Sequence, residues 1–456
     1  MNQISRLKVS QIDRDRFARA TSTELEGKQI LTPSFSPLIQ NSMELEIYLR
    51  RMLSTDSNEH LGTFVMRIFD ASRLLLPWVN MKNIKPLDAD TRPVPTLHKQ
   101  FLDKTITLID PATEYLDFEF HFDDFVNLAS KVRFPQQVMT YLNTKERKRK
   151  NSPSKDYKRW KVQAHKHFWY DLDRERRRLN DFITNYFDIE SKFETKILMP
   201  PMPFVDNEGL LDIAVRVNNM SKALAVDRGE CATYFLLSKS TLRNPNILTK
   251  ITEYLQNDTA TLTMFKFKNL KLWEAGTNIE RDAFRDLNQV MSDIKKENPK
   301  KMFMLLEGSY QCFPSASYGF DIVSSSLRLL DVDSVYGTNA GFGGYFVEDN
   351  LWNTRYVDLP EIMKNNGGYL PCPCHICRRI SYDGKDNELK CDDKKITPEE
   401  WNHYRREHNL FAMNSLMKII NRAIREKQIE LVREKIKNST ELSNLKTLIP
   451  QHYESD

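Results

Sequence analysis

Long apolar runs are absent from this chain: none approaches the ~18 to 20 residues that a membrane span requires. Met1 to Ser10 is polar and does not resemble a secretory leader. A soluble, cytoplasmic protein with no membrane partner is therefore expected. Cysteine is scarce, six in 456 residues, and three of the six fall between Cys372 and Cys377. That distribution excludes a disulfide scaffold and points to a reduced compartment with a metal site. Internal repeats and low-complexity tracts are missing as well. With 40% hydrophobic and 28% charged residues the chain can bury a sizeable core, which excludes wholesale disorder. The length suits one large domain with an appendage, or two medium ones.

Net charge is only +5, but it is unevenly spread. Between Lys145 and Arg178 there are 14 lysines and arginines against 5 acids, which leaves the rest of the chain at -4. Such a stripe is the electrostatic footprint of a phosphate-backbone partner; a solvated helix face would look the same. Trp160, Ala164, Phe168 and Leu172 recur at helical spacing within it. One face can therefore pack while Lys158, Arg159, Lys166, Arg176, Arg177 and Arg178 meet nucleic acid.

Short β-rich runs occur at residues 29–32, 63–69, 105–109, 196–200, 232–237, 262–267, 302–306 and 319–323. Helical periodicity follows several of them, most clearly over Ser42 to Leu53, Glu208 to Val226, Asn246 to Gln256 and Glu280 to Glu297. Eight strands alternating with helices predict a TIM (β/α)8 barrel, with an open doubly wound sheet as the alternative. Residues 1–27 read as an N-terminal extension and 28–350 as the barrel. Residues 111–195 are too long for a βα connection and read as a helical insertion carrying the basic stripe. Beyond the last strand come a glycine-rich loop (Gly337, Gly341, Gly343, Gly344), the cysteine cluster, and an amphipathic helix from about Asn409 to Lys437. Residues 351–456 read as a zinc-binding subdomain.

Cys372, Cys374 and Cys377 can converge on one tetrahedral ion from a single tight turn. His408 is the expected fourth ligand, with His403 and Cys391 as competitors and His375 pointing away. A Cys3His set leaves no open position for water, so structural zinc is expected.

The cysteine triplet followed by Glu407-His408-Asn409-Leu410 resembles the zinc motif of the tRNA-guanine transglycosylase superfamily. That resemblance implies a TIM barrel with a zinc subdomain after the last strand. Leu31-Thr32-Pro33-Ser34-Phe35-Ser36-Pro37 is similar to the family's first strand, and Leu108-Ile109-Asp110 falls where its third strand delivers a catalytic aspartate. Leu305 to Ser309 resembles the seventh strand and Gly319-Phe320-Asp321 the eighth. By the resemblance, Asp321 is the nucleophile and Asp110 the base; the other register, Gly-x-Asp-x-x-Asp read from Gly319, puts Ser324 at the nucleophile. Asp110-Pro111-Ala112-Thr113 departs from the family's Asp-Ser-Gly-Gly-Phe-Gln, and Ser238-Lys239-Ser240 and Leu272 to Gly276 replace its guanine-pocket segments.

Glu307, Asp70 and Asp206 also end strands, and the loop Met199 to Phe204 can form an apolar wall for a flipped base. The implied activity is exchange of guanine in a nucleic acid for a 7-deazaguanine through an aspartyl-sugar intermediate. The departures favour the DNA-modifying branch over the tRNA branch. Alternatives are a non-catalytic nucleic-acid-binding subunit of a base-modification complex and a small-molecule hydrolase. Protein partners or a homodimer are compatible with each.

Overall fold

The structure, a computed structural model, describes residues 8–14, 18–25, 28–53, 61–74, 105–113, 135–268, 278–308, 312–327, 345–347, 352–354, 363–370, 372, 374–384 and 388–438. The glycine-rich run at 337–344, Leu272 to Gly276 and Ser309 lie outside them. Three antiparallel strands come first: β1 (Lys8–Arg14), β2 (Arg19–Leu25) and β3 (Lys28–Thr32). The expected first barrel strand at 29–32 thus belongs with the N-terminal segment, in a small sheet of its own.

The main sheet is wholly parallel. Its members are β4 (Ser34–Leu38), β5 (Thr63–Arg67), β6 (Ile106–Asp110), β8 (Phe204–Val205), β10 (Thr233–Ser238), β11 (Leu262–Lys268), β12 (Met302–Leu306) and β13 (Ile322–Ser326). They pair in the order β6-β5-β4-β13-β12-β11-β10-β8, so the sheet curls until its first strand in the chain lies beside its last, Ser36 opposite Ser324. Two short strands, β7 (Ile197–Leu198) and β9 (Glu230–Cys231), pair separately. The strand expected at 196–200 is cut short because Pro200, Pro201 and Pro203 lack the N–H that a ladder needs. The chain is therefore an α/β fold with a curled, TIM-like parallel sheet.

Strand alternation sorts the two ends of that sheet. Thr63, Ile106, Leu262, Met302 and Ile322, with Ile197, line an apolar cavity of about 10 Å³, room for one water at most. Ile30 and Thr32 of β3 close it from below, making this the floor. Four residues further along three of these strands, the same inward parity brings up Arg67, Asp110 and Lys266. That end is the mouth.

Helices cover the outside: α1 (Ser42–Leu53), α2 (Ile68–Leu74), α3 (Gln136–Asn151), α4 (Ser154–Arg174), α5 (Arg176–Ser191), α6 (Glu208–Ala225), α7 (Pro245–Gln256), α8 (Asn278–Glu297) and α9 (Cys312–Tyr318). The described part of the expected insertion is the trio α3 to α5. Its apolar stripe packs as the spacing predicts, with Ala164 and Leu172 buried and Trp160 and Phe168 half-buried against the main core.

The C-terminal helix begins at Pro398, not near Asn409, because Thr397 and Glu400 form a reciprocal capping box. This helix, α10 (Pro398–Arg425), is followed by α11 (Ile429–Asn438), the break falling at Lys427 with φ +58°. The side chain of Asn409 donates to Leu327 O (2.9 Å) just past the mouth end of β13, and that of Asn421 to Thr32 O (2.6 Å) at the floor. Twelve residues of helix rise about 18 Å, so α10 runs the height of the sheet and holds both ends.

Candidate active site and metal centre

Four charged side chains from four parts of the sheet meet at the mouth. Asp110 ends β6, and its Oδ1 accepts from Ala112 N (2.9 Å) while Oδ2 accepts from Lys266 Nζ (2.8 Å). Lys266, on β11, also donates to Glu307 Oε1 (2.7 Å), the first residue after β12. Arg67, ending β5, donates to the same oxygen through Nε and Nη2, each at 3.3 Å. All four are almost completely buried.

Burial pushes the Glu307 carboxyl up, but Arg67 and Lys266 outweigh it and hold it below its usual range. Its Oε2 is buried without a hydrogen-bond partner among the described residues. Two residues of this cluster also carry left-handed backbone, Ala112 at φ +54° and Glu307 at φ +52°. Such conformations cost L-residues energy and gather where geometry is functional. Arg67 and Lys266 are functional candidates that periodicity alone does not announce. Their signal is a cation at an inward position of an otherwise apolar strand.

Asp321 is at the other end. The last strand occupies Ile322–Ser326 instead of the expected 319–323, so Asp321 precedes it and lies at the floor. Gly319, at φ +136°, makes the turn that delays the strand. Arg19 of β2 donates Nε to Asp321 Oδ1 (2.8 Å), Phe303 N donates to Oδ2 (2.9 Å), and Lys295 Nζ lies 3.5 Å from both oxygens. Arg19 also donates to Lys301 O and Pro299 O. Burial raises the Asp321 pKa, but the charges of Arg19 and Lys295 outweigh it and leave it lowered. Phe303, bonded to Asp321, and Glu307, in the mouth, are four residues apart on β12, roughly 13 Å along the strand.

The expected pairing of Asp321 with Asp110 at one mouth is therefore corrected. Asp110 is there, and Asp321 fastens the N-terminal sheet to the floor. The other register places Ser324 on the inward face in mid-strand, its Oγ buried with no hydrogen-bond partner among the described residues. Of the remaining strand-end acids, Asp70 is buried after β5, and Asp206 accepts from Lys166 (3.0 Å) and Asn207 (2.6 Å).

The cysteine cluster forms where expected. Cys372, Cys374, Cys377 and His408 are all buried, and their ligand atoms lie within 4.8 Å of one another. His408 Nδ1 is 3.3 Å from Cys377 Sγ and 3.6 Å from Cys374 Sγ. A tetrahedral zinc with thiolates at about 2.3 Å calls for thiolate-to-nitrogen separations of about 3.5 Å, so this donor set fits a metal ion and is compatible with zinc. His408 sits in the third turn of α10, not at its start. Burial lowers its pKa, but hydrogen bonding to Cys372 and Cys374 outweighs that and pushes it to about 9.

The competitors are placed elsewhere. Cys391 ends β15 (Glu388–Cys391) in the three-stranded sheet with β14 (Ile380–Asp383) and β16 (Lys394–Lys395), and His403 faces Glu407 at 3.8 Å. His375 is exposed, with Nε2 3.1 Å from Glu407 Oε1. The centre has its own small core of Met363, Leu370, Ile376, Ile380, Leu389 and Trp401.

The basic stripe runs from the end of α3 through α4 to the start of α5. Arg159, Arg176, Arg177 and Arg178 are exposed, Arg178 within 3.6 Å of Glu175. Lys166 is half-buried against Asp206, and the side chain of Lys158 lies outside the described residues. Helix α4 flanks the mouth: His165 Nε2 accepts from Phe204 N (3.3 Å), and Tyr170 OH donates to Asn207 Oδ1 (3.2 Å). The Met199 to Phe204 loop is pinned there too, Thr113 Oγ1 donating to Met202 O (2.6 Å). Among the described residues no helix is long and apolar enough to cross a membrane. No protein-family model matches the sequence and no curated protein matches it.

Proposed function

We propose that the chain is a pentosyltransferase that exchanges guanine in a nucleic acid for a 7-deazaguanine, working at the mouth of a closed (β/α)8 barrel stapled by structural zinc. The observation that carries this reading is the mouth cluster: two carboxylates, Asp110 and Glu307, bridged by Lys266 where the parallel strands end, which is where such sheets do chemistry. Base exchange needs one carboxylate to attack the sugar carbon as the old base departs, and a second group to move the proton between leaving and arriving heterocycles. Glu307 is held ionised by Arg67 and Lys266 and has an oxygen, Oε2, with no hydrogen-bond partner among the described residues, which suits attack. Asp110, oriented by Ala112 N and Lys266, suits proton transfer. The new base then displaces Glu307 at the same carbon, restoring both carboxylates. Cys372, Cys374, Cys377 and His408 would hold the zinc, which anchors α10. The exposed arginines of α4 and α5 supply the phosphate contacts, and DNA is preferred to tRNA as the polymer.

One observation favours a second reading, a non-catalytic nucleic-acid-binding subunit: Ser324 stands in the register where the resemblance places a nucleophilic aspartate. Labelled guanine offered with duplex DNA or tRNA separates the two. Incorporation into one polymer, abolished in Glu307→Gln and Asp110→Asn, supports the enzyme and names its substrate; no incorporation into either supports the subunit.

A further inference from the structure

The three-helix insertion does more than display cations. Between α3, α4 and the start of α5 lies a cleft of about 460 Å³. Its back wall is aromatic: Tyr141 stacks on Trp160 (centroids 6.4 Å apart, 22° between planes) and meets Phe168 at 5.1 Å. Tyr157 continues the stack behind Trp160 at 6.1 Å and 26°. The rim is polar, with Gln137 and Thr140 on one side and His167 and Arg178 on the other. The one acid in the lining, Asp171, is paired with Arg174 at 3.1 Å, so it does not oppose an anion. Arg178 is the cation of the lining, and the exposed cations nearest to lining residues in the chain are Arg147 and Lys148, which follow Thr144 on α3, and Arg176 and Arg177, which precede Arg178 on α5.

A half-buried aromatic wall with Arg178 on its rim and further exposed cations on the same helices matches one chemistry closely: a π-faced base lying flat on the rings with its phosphates on the cations. A bare backbone binder needs no such wall, and an apolar peptide would gain nothing from the cations.

We infer that this cleft is a second nucleic-acid subsite, separate from the mouth, that takes one unpaired base of a single strand. The inference rests on the nucleic-acid reading above and adds a base contact where the charge stripe alone supplies only phosphate contacts. An unpaired base seated here leaves its neighbouring nucleotides beside α4, which also contacts Phe204 of β8 through His165 and Asp206 just after that strand through Lys166.

The test compares a short single-stranded DNA with the same strand carrying abasic sites, by fluorescence anisotropy on the full chain. The expected result is that the normal strand binds about tenfold or more tightly, since each stacked base contributes by about that factor. Thr140→Trp, at an exposed rim position, fills the cleft without touching the core or the cations. It should abolish the preference while leaving the melting temperature and the residual salt-dependent binding to abasic strand unchanged. Equal affinity for normal and abasic strands, or a preference that survives Thr140→Trp, overturns the cleft and leaves the phosphate-binding reading standing. Absence of binding to any strand, single or duplex, overturns both.

Discussion

The floor and the mouth of the sheet each bury a carboxylate network, and they are built for opposite ends. At the floor, both oxygens of Asp321 are engaged, by Arg19, Phe303 N and Lys295, and the bonds tie β2 to β12 and β13. At the mouth, Asp110 and Glu307 share one lysine, Glu307 Oε2 has no hydrogen-bond partner among the described residues, and two residues hold left-handed backbone. A saturated network with ordinary backbone fixes a structure. One with an unengaged acceptor and strained backbone retains capacity for a ligand.

Helix α10 reaches both ends, and breaking the Cys3His cluster that holds its His408 should separate them most strongly. Metal analysis should give about one zinc per chain, and the apparent binding energy of such sites, roughly 10–16 kcal/mol, is coupled to folding. Chelation, or Cys374→Ser, should expose amides around His408 and Asn409 beside the mouth before those around Asn421 at the floor, as read by hydrogen exchange. His408→Ala should lose the metal, while His403→Ala and Cys391→Ser keep it.

Asp321→Asn tests the floor. Removing one partner of a buried ion pair leaves the other charge uncompensated and costs about 3–5 kcal/mol, so a lower denaturant midpoint is expected. Acid should do the same more gently. Because the folded pKa of Asp321 is lowered, its contribution is complete above the ordinary carboxylate value of about 3.9 and is lost as pH falls through the folded value. The wild type should lose stability over that range more steeply than Asp321→Asn. Equal slopes would remove Asp321 from the acid response.

The smallest expected effect belongs to the stripe. Neutralising Arg176, Arg177 and Arg178 together should weaken binding similarly across sequences and reduce the salt slope by about one unit per lost phosphate contact. An unchanged slope would return these residues to a solvated helix face.

The two ends were unequally legible in the sequence. The Cys3His cluster was readable because thiols two and three residues apart have few other uses, and the strands at 63–67, 106–110, 262–268 and 302–306 because short β-rich apolar runs mark them. The seam between β4 and β13 was not. Both strands are fully buried yet rich in serine, Ser-Phe-Ser-Pro-Leu against Ile-Val-Ser-Ser-Ser, so hydrophobicity located one strand early and the other three residues off. That offset moved Asp321 from one end of the sheet to the other. Glu307 was legible as a strand-end acid but its partner Lys266 was not: their pairing spans 41 residues and depends on strand register, which composition does not carry.

The division of labour between the two ends is tested most directly by base exchange in paired variants, measured with labelled guanine under conditions where each is folded. Glu307→Gln should lose exchange by a factor of about 10² or more with its melting transition retained. Asp321→Asn should melt earlier yet exchange at the wild-type rate per folded molecule. A fully active Glu307→Gln beside a folded, inactive Asp321→Asn would contradict the account and move the chemistry to the floor.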